Sequence, residues 1–314
     1  MYHDYTGFRW YLLTNTESDG SGVWTSYSVP FSPSSVGTHP ATPMAALAIR
    51  KSGGVNSPVV LAINQTSGEV RSAMFTTASS SWTIGLVETL GANRASNIDA
   101  AADDNGSVVV AYLDRQTTLV DYAHSSNGSS WTLFNGVSST ASAGQGLDIE
   151  INSYSGQPLI SFHNRTGLLA GTLILATCAS SVSGCATAGW TTSVVDVATG
   201  TGTTPFTTAV TGNENVLSSV IAMRSTGEFD LLYGHGPNAT GHLKRIEFDE
   251  LGVIGATTNY VLAPGTTVVS TAFNFGLPGV NMSGTVSSDN QLVALYMGAG
   301  NVLAHKTCDL ELFD

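Results

Sequence analysis

Short apolar runs recur along this chain, most of them about five to eight residues long, separated by clusters of Gly, Ser, Asn and Asp. Runs of that length bounded by turn residues predict β-strands. Five of them open a repeating unit: "PMAALAIR" (43–50), "NIDAAAD" (97–103), "LDIEINS" (147–153), "SSVIAMR" (218–224) and "VNMSGTV" (280–286). A tight turn follows each, carrying Ser52-Gly53, Asn105-Gly106, Ser155-Gly156, Thr226-Gly227 or Asp289-Asn290. Gly and Asn accept the positive φ that hairpin turns need. The strongest strand comes next ("PVVLAIN", "SVVVAYLD", "QPLISFHN", "EFDLLYGHG", "QLVALYMG"). A third strand follows it ("EVRSAMFT", "TLVDYAHS", "GTLILATC", "GHLKRIEF", "NVLAHKTC").

The fourth strand opens on a Trp-Thr pair. Trp24, Trp82, Trp131 and Trp190 are each followed by Thr and stand 49 to 59 residues apart. Self-similarity at such a period predicts propeller blades. In the fourth repeat "VIGATTNYVL" (253–262) takes this place without a Trp, and the last repeat has no clear fourth strand. The N-terminus supplies "FRWYLLT" and "GVWTSYSV", which read as a third and a fourth strand. The expected fold is all-β: one domain over 1–314, a five-bladed β-propeller of four-stranded antiparallel blades. Residues 1–30 give the closing strands, and the blades lie near 40–90, 95–140, 145–197, 215–262 and 278–308. Joining the N-terminal strand to the C-terminal blade removes an open sheet edge. Because "FRWYLLT" and "NVLAHKT" compete for one third-strand place, a partial sixth blade is the alternative.

Composition fits this pattern. Of 314 residues, 34 are Gly and 10 are Pro, and only 11% are charged, which suits many short strands and tight turns. The 42% hydrophobic content is enough to bury a sizeable core and excludes a disordered chain. The net charge is −12 with 11 Lys and Arg spread thinly, so no basic stripe is available for nucleic acid. No apolar run reaches the ~18 residues of a membrane-spanning helix.

Cys178 and Cys185 lie in the Ser/Gly-rich loop "TCASSVSGCATAGW". A loop of that size closes as a local disulfide, leaving Cys308 over and implying an oxidising compartment; two free thiols are the alternative. "MYHDYTGFRWYLL" lacks the basic and apolar stretches of a signal peptide. Either the chain is cytosolic or it is cut from a longer one; with the cysteine pair, the expected setting is the latter, extracellular or at a cell surface.

The stretch "NGSVVVAYLDRQTTLVDYAHSSNGSSWT" resembles bacterial secreted repeats similar to the blades of sialidase-like (BNR-type) propellers. The third repeat, "GQPLISFHN…LILATCASSVSGCATAGWTTSVVD", is close to the variant with a Cys pair before the Trp. The resemblance covers about 40–200 well and implies a scaffold shared by several functional classes. Against the family's S-x-D-x-G-x-x-W box, Gly128 and Trp131 match, while His124 and Ser126 stand at the Ser and Asp positions. In that family the box is a turn remote from catalysis. "AHSSNGSSWT" is thus expected to close a hairpin, with Trp131 packed between blades. Sialidase chemistry itself needs an arginine triad, a Tyr nucleophile with a Glu partner and an Asp acid. The arginines here fall at no recurrent strand position, and no such motif carries over.

Two sets of side chains remain as candidate chemistry. Five-bladed glycosidases of the arabinanase and fructosidase type place carboxylates on inner strands at a spacing suited to acid and base work. The inner strands here hold Asp99, Asp148 and Glu150. Asp148 and Glu150 share a strand face. Asp99, aligned with Ile149 on the turn glycines, is expected to face the other way. The alternatives for these carboxylates are a seat for a structural cation or water in a central channel, or isolated solvated side chains; no cofactor or metal is expected. Asp103-Asp104-Asn105-Gly106 lacks calcium-loop spacing and reads as a hairpin turn.

The second set follows the second strands: Asn64, Asp114, His163, Asn164 and His235, with Tyr112, Phe162 and Tyr233 just before them. Polar and aromatic groups recurring on one face suit sugar recognition, hydroxyls bonding to the polar groups and the ring stacking on an aromatic. The plain structural alternative packs the aromatics between blades and spends the polar groups on turns. The expected function is an extracellular ligand-recognition module, lectin-like or adhesive, whose partner is a glycan or cell-surface ligand. The alternatives are a glycoside hydrolase using Asp99, Asp148 or Glu150, and the structural tip of an oligomeric surface fibre.

Overall fold

A computed structural model of the chain describes residues 1–4, 9–17, 21–31, 45–64, 66–138, 146–164, 172–196, 219–235, 242–250, 260–261, 283–286, 291–298 and 302–309. These are antiparallel β-strands with two short 3-10 turns; none of the described residues forms an α-helix.

Four four-stranded sheets run through the middle of the chain, each in simple meander order. The first contains β4 (Ala45–Ser52), β5 (Val55–Asn64), β6 (Glu69–Thr76) and β7 (Ser81–Thr89). The second contains β8 (Ala95–Ala102), β9 (Val108–Asp114), β10 (Leu119–Ser125) and β11 (Thr132–Phe134). The third contains β12 (Asp148–Ile151), β13 (Pro158–Asn164), β14 (Thr172–Cys178) and β15 (Trp190–Asp196). The fourth contains β16 (Ser219–Met223), β17 (Phe229–His235), β18 (His242–Phe248) and β19 (Tyr260–Val261). A three-stranded sheet precedes them: β1 (Tyr2–Asp4), β2 (Arg9–Asn15) and β3 (Trp24–Ser28). Another follows: β20 (Ser283–Val286), β21 (Gln291–Gly298) and β22 (Val302–Asp309). Most of the fourth strand expected over 253–262 and the Asp289-Asn290 turn lie outside the described residues.

The first strands of successive sheets, β4, β8, β12, β16 and β20, lie side by side in that order. Each four-stranded sheet therefore has a neighbour on both faces. This is why its second strand is apolar on both sides rather than alternating. All seven residues of β9 are buried. Val108, Val110 and Tyr112 pack toward the first sheet, and Val109, Ala111 and Leu113 pack toward the third. Each of the Val and Leu side chains contributes about 1.5–3 kcal/mol on burial.

The Trp-Thr strands stitch neighbouring sheets together. Trp131 Nε1 donates to Ser72 Oγ of the first sheet at 3.0 Å, and Ser72 Oγ donates to Gly128 O at 2.9 Å. The "AHSSNGSSWT" turn is held from within. Ser125 Oγ accepts from Gly128 N at 2.8 Å, and Asn127 Oδ1 accepts from Ser129 N at 2.9 Å and Ser130 N at 2.8 Å. Gly128 sits at φ +77°, where a side chain would be strained. In the third sheet a disulfide loop does the same task. Cys178 and Cys185 are bonded. Trp190 Nε1 donates to Cys185 O at 3.0 Å, its ring lies 5.1 Å from that of Tyr122, and Tyr122 OH donates to Val182 O at 2.8 Å.

The N-terminal sheet covers the first sheet on the side away from the second, with the Tyr27 and Phe75 rings 4.5 Å apart. The strands read as a third and a fourth, β2 and β3, do pair with each other, but β1 adds a strand on the far side of β2. Among the described residues no ladder joins this sheet to β20–β22. Among the described residues there are four four-stranded and two three-stranded sheets.

Candidate functional site

Counting back from the polar residue that ends each second strand brings the inner strands into register. Three residues before Asp114 is Ala111, which pairs with Asp99; three before Asn164 is Ser161, which pairs with Asp148. Asp99 and Asp148 therefore occupy equivalent positions. The expectation that Asp99 faces the other way is corrected. Its cause is one residue of turn length. The hairpin between β8 and β9 spans 103–107, whereas that between β12 and β13 spans 152–157. Aligning on Gly106 and Gly156 shifts the inner strand by one position and reverses its faces.

An inner strand has one unpaired edge, whose N–H groups need acceptors. The carboxylates provide them across sheet boundaries. Asp99 Oδ2 accepts from Ile149 N at 2.9 Å, and Asp148 Oδ2 accepts from Ile221 N at 2.7 Å. The Asp99 charge acts on Asp148. Burial raises both above the ordinary carboxylate range; Asp148 is raised further by the Asp99 and Glu150 charges. Burial, then the Asp99 charge, pushes Glu150 up to about 8. Among the described residues, no group of three or more His, Cys, Asp or Glu is arranged to hold a metal ion.

The second set of candidates recurs at one structural position. Asn64, Asp114, Asn164 and His235 are the last residues of β5, β9, β13 and β17. Asn64 Oδ1 caps its own turn, accepting from Thr66 N at 3.0 Å and Ser67 N at 3.2 Å. Asp114 is buried, paired with Arg94 and bonded to Gln116 N, and its pKa is lowered: burial opposes ionisation, but Arg94 and the turn N–H outweigh it. Tyr112, Phe162 and Tyr233 are 0%, 0% and 2% exposed, so their rings fill the space between sheets and offer no stacking surface. The strand positions of His163, Asn164 and His235 are described, but their side chains lie outside the described set.

Two features escape sequence reasoning. Tyr112 OH donates to Glu88, beside Arg94–Asp114 and Asp121. Burial chiefly pushes Asp121 up to about 7, with the N–H of Gly136 opposing and the Glu88 and Asp114 charges adding. A lone carboxylate between Val120 and Tyr122 in an apolar strand was the available signal. Asn97 sits in a β-bulge between Ser96 and Ile98 at φ +46°, 2% exposed, and neither end of its amide has a protein partner. Nothing local in "ASNIDA" marks that bulge.

No protein-family model matches the chain, and no curated relative matches it. Among solved structures the chain is similar to a thermostable family-43 glycoside hydrolase, with TM-score 0.48 and 11% identity over 88% of this chain and 93% of that one. It is similar to the SapL1 lectin in complex with alpha methyl fucoside, with TM-score 0.47 and 13% identity over 91% and 85%. It is also similar to the leech intramolecular trans-sialidase, with TM-score 0.44 and 12% identity over 84% of this chain and 41% of that one.

Proposed function

We propose that the chain is an extracellular glycan-recognition module that binds its ligand where the second strands end. One observation carries this reading: a polar residue closes the second strand in four successive sheets, at Asn64, Asp114, Asn164 and His235. Such recurrence gives several polar groups on one face, where a multi-hydroxyl ligand finds them together. Asn64 and Asp114 shape their turns, so the contacts fall to His163, Asn164 and His235.

The inner carboxylates speak against hydrolysis, since Asp99 and Asp148 are engaged with strand amides. Glu150, held protonated near neutral pH, is the remaining candidate acid, and it lacks an assigned base. The experiment is a glycan microarray of the intact chain, paired with an assay for sugar release from polysaccharides. Binding lost in His163→Ala, with no release, supports recognition. Release abolished by Glu150→Gln overturns it.

The reading includes ring closure. Leu47 and Ile49 on β4 are 37% and 42% exposed, on the face turned from the second sheet. Their counterparts Ile149 and Ile151 are 1% and 8% exposed. That difference fits the C-terminal sheet seating on β4, with an N-terminal strand completing the last blade.

A further inference from the structure

The chain contains three Asn-Gly pairs: Asn105-Gly106, Asn127-Gly128 and Asn135-Gly136. A glycine after an asparagine leaves its backbone N unshielded, because no Cβ stands beside it. That N is free to bond to the asparagine Cγ. With the dipeptide the same in all three, the fold decides which one reacts. What counts is how the side-chain amide is held and how firmly the glycine N–H is engaged. We propose that Asn105 is a site of self-modification, converting in water to aspartate and isoaspartate, while the fold protects Asn127 and Asn135.

Asn105 is exposed in the turn between β8 and β9, and no hydrogen bond among the described residues holds its side chain. Its glycine makes the longest of the three N–H bonds, from Gly106 N to Asp103 O at 3.2 Å. Asn127 is restrained on both counts. Its Oδ1 accepts from Ser125 Oγ at 3.1 Å, Ser129 N at 2.9 Å, Ser129 Oγ at 3.2 Å and Ser130 N at 2.8 Å. Gly128 N donates to Ser125 Oγ at 2.8 Å. Asn135 is exposed, but Gly136 N donates to the buried Asp121 carboxyl at 3.0 Å. A bond onto a carboxylate is stronger than one onto a neutral carbonyl.

In the reaction Gly106 N bonds to Asn105 Cγ and the Cγ–Nδ2 bond breaks. The Gly106 N–H proton passes through solvent, and Nδ2 leaves as ammonia. Water then adds to one carbonyl of the five-membered imide. Opening on one side gives aspartate; opening on the other gives isoaspartate, whose main chain runs through the side-chain methylene. Both products place a new negative charge beside Asp103 and Asp104, and isoaspartate also lengthens the turn by one carbon. The first sheet grips the second at this point. Gly106 O accepts from Arg50 Nε at 2.8 Å, and a Cβ at Gly106 would stand only 2.6 Å from Lys51 O. A lengthened turn does not fit so close a seat, so isoaspartate at Asn105 releases Arg50 from Gly106.

The test is to hold the intact chain at pH 8.5 and read deamidation at each of the three pairs over time by peptide mass mapping, with isoaspartate resolved by its separate elution. The chain unfolded in guanidinium chloride is the control for the dipeptide itself. Folded, Asn105 should convert about fivefold or more faster than Asn127 and Asn135, the factor that one net hydrogen bond is worth. Unfolded, the three should convert at similar rates. Ser125→Ala frees Gly128 N and should speed Asn127 while leaving Asn105 unchanged. The isoaspartate fraction should unfold at lower denaturant than the fresh chain; an unchanged midpoint would overturn the release of Arg50. Equal rates at the three pairs in the folded chain, or conversion led by Asn127 or Asn135, would overturn the site. The wild-type rates decide even where the variant does not fold.

Discussion

Trp131 reaches out of its own sheet to donate its indole N–H to Ser72 Oγ, 3.0 Å away in the sheet before it. Ser72 is fully buried and passes a hydrogen bond back to Gly128 O. One hydroxyl thus satisfies a donor and an acceptor on the neighbouring sheet. Ser72→Ala leaves both unpaired and should cost about 2 kcal/mol in urea-unfolding free energy. A change within ±0.5 kcal/mol would mean that Trp131 packs without needing this bond.

The Cys178–Cys185 loop presses Val182 and Cys185 against Tyr122 of the preceding sheet. Reduction, or Cys178→Ser with Cys185→Ser, should lower stability by about 2–3 kcal/mol, the value expected for closing so short a loop. The Tyr122–Trp190 contact should loosen with it, visible as a shift in Trp fluorescence. Unchanged fluorescence on reduction would show that the loop holds its place without the bond.

Asn97 combines a positive φ with a buried amide that has no protein partner. Gly removes both costs at once, and Asn97→Gly should raise stability by about 1 kcal/mol. Loss of stability instead would indicate that the amide is bonded in solution.

Asp121 gives stability an alkaline dependence. With its folded pKa pushed up to about 7, its contribution is present in acid and is lost as pH rises through 7. Asp121→Asn keeps an acceptor for Gly136 N and should remove that part of the profile. Matched unfolding midpoints at pH 5 and pH 8.5 check this: the wild type should differ more than the variant.

The repeat of strands and the Trp-Thr devices were legible because each rests on local chemistry: an apolar run, a turn glycine, an aromatic at a fixed place. The disulfide was legible for the same reason. The face of Asp99 was not, because a single extra residue in the 152–157 turn reverses a strand's faces without changing its composition. Tyr112, Phe162 and Tyr233 could be read either as a binding surface or as core. Having a neighbour sheet on both sides decides for core, and that is a property of the assembly of sheets rather than of any one strand. The Glu88–Tyr112–Asp121 cluster joins three strands of two sheets and has no sequence spacing of its own.

The proposal that a glycan is bound where the second strands end is tested most directly by hydrogen-exchange mass spectrometry with and without the best-binding glycan from the array. Added protection should concentrate in peptides that contain the strand ends at Asn64, Asp114, Asn164 and His235, and the inner strands β8 and β12 should be unaffected. Protection concentrated on β8 and β12, or no glycan bound at all, would contradict it.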